Sequence, residues 1–121
     1  MLKKDGNAIV LDAYNANPSS MKLAIENFAR MEGNDKVVML GAMMELGTGS
    51  IDEHEALISL LQQFPWRSVV LVGGDFKSIA HPFIYFDTAA EAKQWLQVQA
   101  LHNAAILVKG SRSMRMETVL E

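Results

Sequence analysis

Three short runs in this chain carry almost no polar residue: Val37-Val38-Met39-Leu40, Ser68-Val69-Val70-Leu71-Val72 and Ala104-Ala105-Ile106-Leu107-Val108. A strand with one wet face alternates apolar and polar residues, whereas a strand that is apolar throughout is covered on both faces. Ala8-Ile9-Val10-Leu11 has the same character, and Phe83-Ile84-Tyr85-Phe86 is a shorter candidate. Stretches with helical periodicity separate these runs. Strands buried on both faces and joined through helices need crossover connections, and crossovers make strands parallel.

The connecting segments carry their own punctuation. After the run at 8–11, the polar turn Asp12-Ala13-Tyr14-Asn15-Ala16-Asn17-Pro18 breaks regular pairing. Ser19 or Ser20 then caps a helix to about residue 31, with Met21, Ala24, Ile25 and Phe28 on one stripe and Gly33 as its stop. Ser50-Ile51-Asp52-Glu53 and Thr88-Ala89-Ala90-Glu91 both have capping-box spacing, predicting helices over 50–64 and 88–101. A last helix is expected after Lys109-Gly110-Ser111-Arg112. Met21, Met31, Met39, Met114 and Met116 fall in apolar patterns and read as core filling. The expected fold is α/β: a three-layer α/β/α, Rossmann-like domain with a mainly parallel sheet of about five or six strands.

At 121 residues the chain fits one domain spanning 1–121, with no repeat or linker. No apolar run approaches the roughly 20 residues that span a bilayer, and Met1-Leu2-Lys3-Lys4-Asp5-Gly6 lacks the apolar stretch of a signal peptide. With no cysteine, disulfide and thiolate chemistry are excluded. These features suit the cytoplasm. The net charge is −3 and the 11 Lys and Arg are scattered, without the basic footprint that phosphate neutralisation by a nucleic-acid binder requires. His54, His81 and His102 share no ligand-like spacing, so no metal site is expected, and His54, beside Glu53 and Glu55, reads as a surface residue.

Ligands of such sheets sit outside the carboxyl ends of the strands, which singles out the loops beginning at Asp12, Gly41, Gly73, Asp87 and Lys109. In the first, Asp12 can accept hydroxyls as an aspartate does for a ribose, Tyr14 offers a flat face to a base, and Asn15 and Asn17 offer paired donors and acceptors. The same residues also suit a plain turn and helix cap. In Leu40-Gly41-Ala42-Met43-Met44-Glu45-Leu46-Gly47, Glu45 could meet a cation or amine, although a solvated glutamate is commoner. Lys109, Ser111 and Arg112 place two cations and a hydroxyl where a helix would start, which suits an anion, and Arg can grip a carboxylate through two parallel bonds. Neither Gly-x-x-x-x-Gly-Lys-Ser/Thr nor Gly-x-Gly-x-x-Gly is present, so the chain does not hold a triphosphate by itself.

Taken together, Asp12-Ala13-Tyr14-Asn15-Ala16-Asn17-Pro18-Ser19-Ser20-Met21, Leu40-Gly41 with Met43 and Glu45-Leu46-Gly47, and Leu107-Val108-Lys109-Gly110-Ser111-Arg112 with Met116-Glu117 resemble the Mur ligases in order and over nearly the whole chain. One departure is Ala42, where the family pattern usually has Asp. The resemblance implies the third, C-terminal domain of a three-domain ATP-dependent ligase, in the branch that joins D-alanyl-D-alanine to UDP-N-acetylmuramoyl-tripeptide. The UDP-sugar domain and the central ATPase domain, which would hold most of the ATP and its Mg2+, are absent from this sequence. It further implies nucleotide contacts from Asp12, Tyr14, Asn15 and Asn17, dipeptide contacts from Lys109, Ser111 and Arg112, no catalytic residue of its own, and no activity when isolated. A receiver-type phosphoacceptor is the rival, because Asp12, Asp75, Thr88 and Lys109 stand after the first, third, fourth and fifth apolar runs. A freestanding α/β interaction module is the third reading.

Overall fold

The computed structural model describes residues 2–121; Met1 lies outside the described residues. Its six strands are β1 (Leu2–Lys4), β2 (Asn7–Asp12), β3 (Lys36–Gly41), β4 (Ser68–Val72), β5 (Ile84–Phe86) and β6 (Ala105–Lys109), and its α-helices are α1 (Pro18–Arg30), α2 (Ser50–Leu61) and α3 (Ala89–Gln99). They form one sheet in the order β1-β2-β6-β3-β4-β5. Every pairing is parallel except that of β1 with β2. The expected α/β/α sandwich is therefore what forms, with β1 as an additional antiparallel edge. That strand has a local cause. Asp5 and Gly6, at φ 53° and 82°, make a two-residue turn that returns Leu2 opposite Ile9, and Asp-Gly is among the strongest short hairpin signals.

Two cores lie on the two faces of the sheet. Met21, Ile25 and Phe28 of α1 and Leu57, Ile58 and Leu61 of α2 pack on Val38, Leu40, Leu71 and Leu107. Ala89 and Ala92 of α3 with Met116 and Val119 pack on Ile9, Val37, Met39, Val70, Ile106 and Val108. Alternate residues of β3, β4 and β6 thus enter opposite cores, which is why these strands have no polar side. Met21, Met39 and Met116 are fully buried, as core filling requires.

The helix ends show where local rules hold. Thr88 and Glu91 form the expected reciprocal cap of α3. For α1 the cap is Asn17, not Ser19 or Ser20: its side chain accepts from the Ser20 N–H while the Asn17 N–H donates to Ser20 Oγ. No capping box forms at Ser50, because its hydroxyl donates instead to Asp75 Oδ2 at 2.5 Å and Gly49 occupies the N-cap. Helix α2 ends at Leu61, three residues early, where the Trp66 indole N–H takes the Leu61 carbonyl at 2.8 Å.

The expected last helix is replaced by two 3-10 turns, Arg112–Met114 and Met116–Leu120, separated by Arg115 at φ 50°. Side chains two apart on an α-helix point to nearly opposite sides, yet a β-carbon on Gly41 would lie 3.0 Å from Met114 Cβ and 2.8 Å from Met116 Cγ. The left-handed residue between the two methionines lets both reach the sheet.

Candidate functional site

Connections leave β2 towards the α1 face and leave β6 towards the α3 face, although the two strands are neighbours. This divergence opens a crevice at their carboxyl ends, the place where open α/β sheets bind ligands. The register sets Asp12 directly beside Lys109. Lys109 Nζ donates to Asp12 Oδ2 at 2.7 Å and to the Asn15 carbonyl at 2.8 Å. Asp12 Oδ1 accepts the N–H groups of Tyr14 at 3.3 Å and Asn15 at 3.4 Å. One carboxylate therefore shapes its own loop and binds it to the neighbouring strand.

The two charges of this pair sit in different environments. The Lys109 side chain is 2% exposed and that of Asp12 is 49% exposed. Burial by itself would raise the Asp12 carboxyl, but the Lys109 hydrogen bond and charge, with the Tyr14 and Asn15 N–H groups, outweigh it and hold the carboxyl below its usual value.

The remaining expected residues are placed as follows. Tyr14 is 72% exposed, and the Arg112 guanidinium stands over its ring, 5.3 Å from the centroid. Asn15 is exposed. Asn17 spends its side-chain oxygen on the α1 cap. Ser111 is buried, with its hydroxyl 3.3 Å from that of Ser113. The fold thus brings the 12–17 and 109–112 turns into contact at one end of the sheet. Lys109, grouped with Ser111 and Arg112 on sequence grounds, is turned towards Asp12 and has two of its three donors in use.

Other strand ends are closed by the chain itself. A β-carbon on Gly110 would lie 2.6 Å from Met116 Cγ and 3.1 Å from Gly41 Cα, and one on Gly73 would lie 2.3 Å from Met114 Cε. The two methionines fill the space that side chains would need at the ends of β3, β4 and β6. Ala42 is fully buried, and a β-carbon on Gly74 would lie 2.5 Å from its own. Glu45 is exposed, at φ 62°.

His54 is not the surface residue that its acidic neighbours suggest. Its side chain is 0% exposed, Nε2 accepts the Met43 N–H at 3.1 Å, and Phe76 meets the ring edge-on at 4.7 Å between centroids. The missed signal is periodicity: His54 shares the buried stripe of α2 with Leu57, Ile58 and Leu61. The acidic and hydroxyl residues of the receiver pattern are likewise committed elsewhere, Asp75 to Ser50 and Thr88 to the cap of α3.

The family model for the glutamate ligase domain of Mur ligases matches residues 1–112. UDP-N-acetylmuramoyl-tripeptide–D-alanyl-D-alanine ligase from Rickettsia prowazekii is 29% identical over 93% of this chain, and the ligase of the same name from Buchnera aphidicola is 32% identical over 93%. A crystal structure of the MurF ligase of Thermotoga maritima, solved with ADP, superposes with a TM-score of 0.84 at 31% identity over 98% of the chain. A MurF structure from Acinetobacter baumannii gives 0.84 at 34% over 98%. The chain spans 26% of the length of each of the two ligases and 28% and 27% of the two structures. Sequence and three-dimensional likeness agree that this chain belongs to the Mur ligase family.

Proposed function

We propose that this chain is the C-terminal domain of the ATP-dependent ligase that adds D-alanyl-D-alanine to UDP-N-acetylmuramoyl-tripeptide in the cytoplasm, and that its β2–β6 crevice covers a nucleotide held mainly by a central domain of the same polypeptide. The observation that carries this reading is the meeting of the Asp12–Asn17 and Lys109–Arg112 turns at one crevice, in a fold shared with an ADP-bound relative. In this reading the first turn faces the nucleoside and the second faces the incoming dipeptide.

Lone-pair accounting sharpens the roles. A carboxylate offers about four acceptor positions. Asp12 uses two on Oδ1 and one on Oδ2, leaving a single position on Oδ2 for a ribose hydroxyl. Tyr14 presents the exposed ring, with Asn15 and Asn17 beside it. On the dipeptide side Arg112 is the cation free to pair with a terminal carboxylate, since Lys109 is buried under Asp12; Ser111 lines the turn. Lys109 serves by holding both turns at a fixed separation. Among the described residues no cluster of three or more carboxylate or histidine side chains is placed to hold a metal, and the proposal assigns Mg2+ to the central domain.

The chemistry of such a ligase needs an activated acyl group shielded from water and an amine held in line, and domain closure supplies both. In the full-length enzyme, Arg112→Ala is expected to raise KM for the dipeptide more than KM for ATP; the opposite order would move Arg112 to the nucleotide. The purified chain alone is expected to fold and to turn over no ATP, and measurable hydrolysis would refute the division of labour.

A further inference from the structure

We infer that His54 is a positioning residue for the loop that follows β3, holding it through a hydrogen bond that the ring can accept only while its Nε2 is bare. This inference is independent of what the crevice binds. Its starting point is the ring's two partners. Nδ1 lies 2.7 Å from the Ser50 carbonyl oxygen, which can only accept, so Nδ1 carries the proton. Nε2 lies 3.1 Å from the Met43 backbone nitrogen, which can only donate, so Nε2 carries none. A neutral imidazole satisfies both partners, and a second proton on Nε2 would set one N–H against another.

The loop depends on this bond. Ala42 is fixed to the sheet by its N–H to the Val72 carbonyl at 3.0 Å, and Met43 is anchored by His54. Beyond it come two left-handed residues, Glu45 at φ 62° and Gly47 at φ 61°. Met43 is buried while Met44 is exposed, so the chain leaves the core at this point. Loss of the bond strands a buried N–H, the costly outcome for a polar backbone group.

The groups around the ring do not replace it. From the 3-10 turn after β4, Phe76 packs on the ring, and Asp75 reaches Ser50 Oγ, which itself lies 3.3 Å from Nδ1. On α2, Glu53 is half-buried in the groove shared with Lys22 of α1, and Glu55 is exposed. Glu45 of the loop is exposed. Among the described side chains, the one that bonds the Met43 N–H is His54.

The test uses the chain itself, labelled with 15N. Ring 15N shifts and two-bond couplings are expected to report the Nδ1–H form in the folded state. The Met43 amide is expected to lose at least about tenfold of its exchange protection in His54→Leu while amides of α2 and β3 stay protected. His54→Gln, whose side-chain oxygen can accept the same N–H, is expected to restore the protection. A proton on Nε2 in the folded chain, or equal Met43 protection in wild type and His54→Leu, would each overturn the inference. Should His54→Leu fail to fold, the ring tautomer decides alone.

Discussion

Replacing Asp12 with alanine leaves the Lys109 ammonium, 2% exposed, with the Asn15 carbonyl as its one remaining acceptor. Replacing Lys109 with methionine leaves the Asp12 carboxylate, which is 49% exposed and keeps two N–H partners. The two halves of this ion pair are therefore expected to contribute unequally. Breaking a buried pair so that a charge stays inside costs roughly 3–5 kcal/mol, and the surviving Asn15 bond places Asp12→Ala near 3 kcal/mol. For Lys109→Met, water reaches the orphaned carboxylate and methionine keeps the aliphatic packing, so the cost is about 1 kcal/mol. With an unfolding entropy of about 2.1 cal/mol/K per residue, a domain of this size loses about 4 °C in Tm per kcal/mol. The expected drops are then about 12 °C and about 4 °C, and the double variant should resemble Lys109→Met. Thermal unfolding at pH 7, followed by fluorescence of the half-buried Trp66 and Trp95, measures all three. The sign with pH is fixed as well. Because the folded Asp12 carboxyl lies below the ordinary 3.8, its stabilisation is present above pH 3.8 and is lost as pH falls through the lower folded value. The gap between wild type and Asp12→Ala should narrow there. A Lys109→Met variant as damaged as Asp12→Ala, or more so, would refute the reasoning.

Tyr85 is pushed up to about 12 by burial, by its 3.0 Å hydrogen bond to Asp87 and by the charges of Asp87 and Glu91. Its contribution to stability is full below pH 10.0 and fades as pH rises towards 12, so Tyr85→Phe should flatten the stability profile in that window; absorbance at 295 nm should show a tyrosine ionising near 12. Gly110→Ala should cost about 2 kcal/mol, because its β-carbon meets Met116 and, at 3.1 Å, the Gly41 backbone, which cannot move aside; thermal unfolding reads the loss directly. Asn17→Ala should cost about 1 kcal/mol through the lost α1 cap, with the first-turn amides, Ser20 above all, exchanging faster.

Much of the scaffold was legible because its signals are local. The apolar runs located β2, β3, β4, β5 and β6 to within a residue or two at most ends, and the Thr88–Glu91 spacing marked the start of α3. Errors came where a side chain had a better partner far along the chain. Ser50 has the capping-box pattern but turns to Asp75, 25 residues on. His54 looks solvated beside two glutamates but shares the buried stripe of α2. The segment after β6 reads as helical, yet two methionines must both reach Gly41.

By itself, the sequence determined the alternation of strand and helix, the parallel sheet and the loops at its carboxyl edge, since burial pattern and turn chemistry act within a few residues. The Mur-type motif strings were likewise legible there. Tertiary structure alone decided that β6 inserts between β2 and β3, joining Asp12 to Lys109 across 97 positions of sequence. It also decided that Met114 and Met116 fill the space at the ends of β3, β4 and β6. The reason is that strand order is set by how two hydrophobic faces are covered at once, a condition on the whole sheet that no single segment expresses.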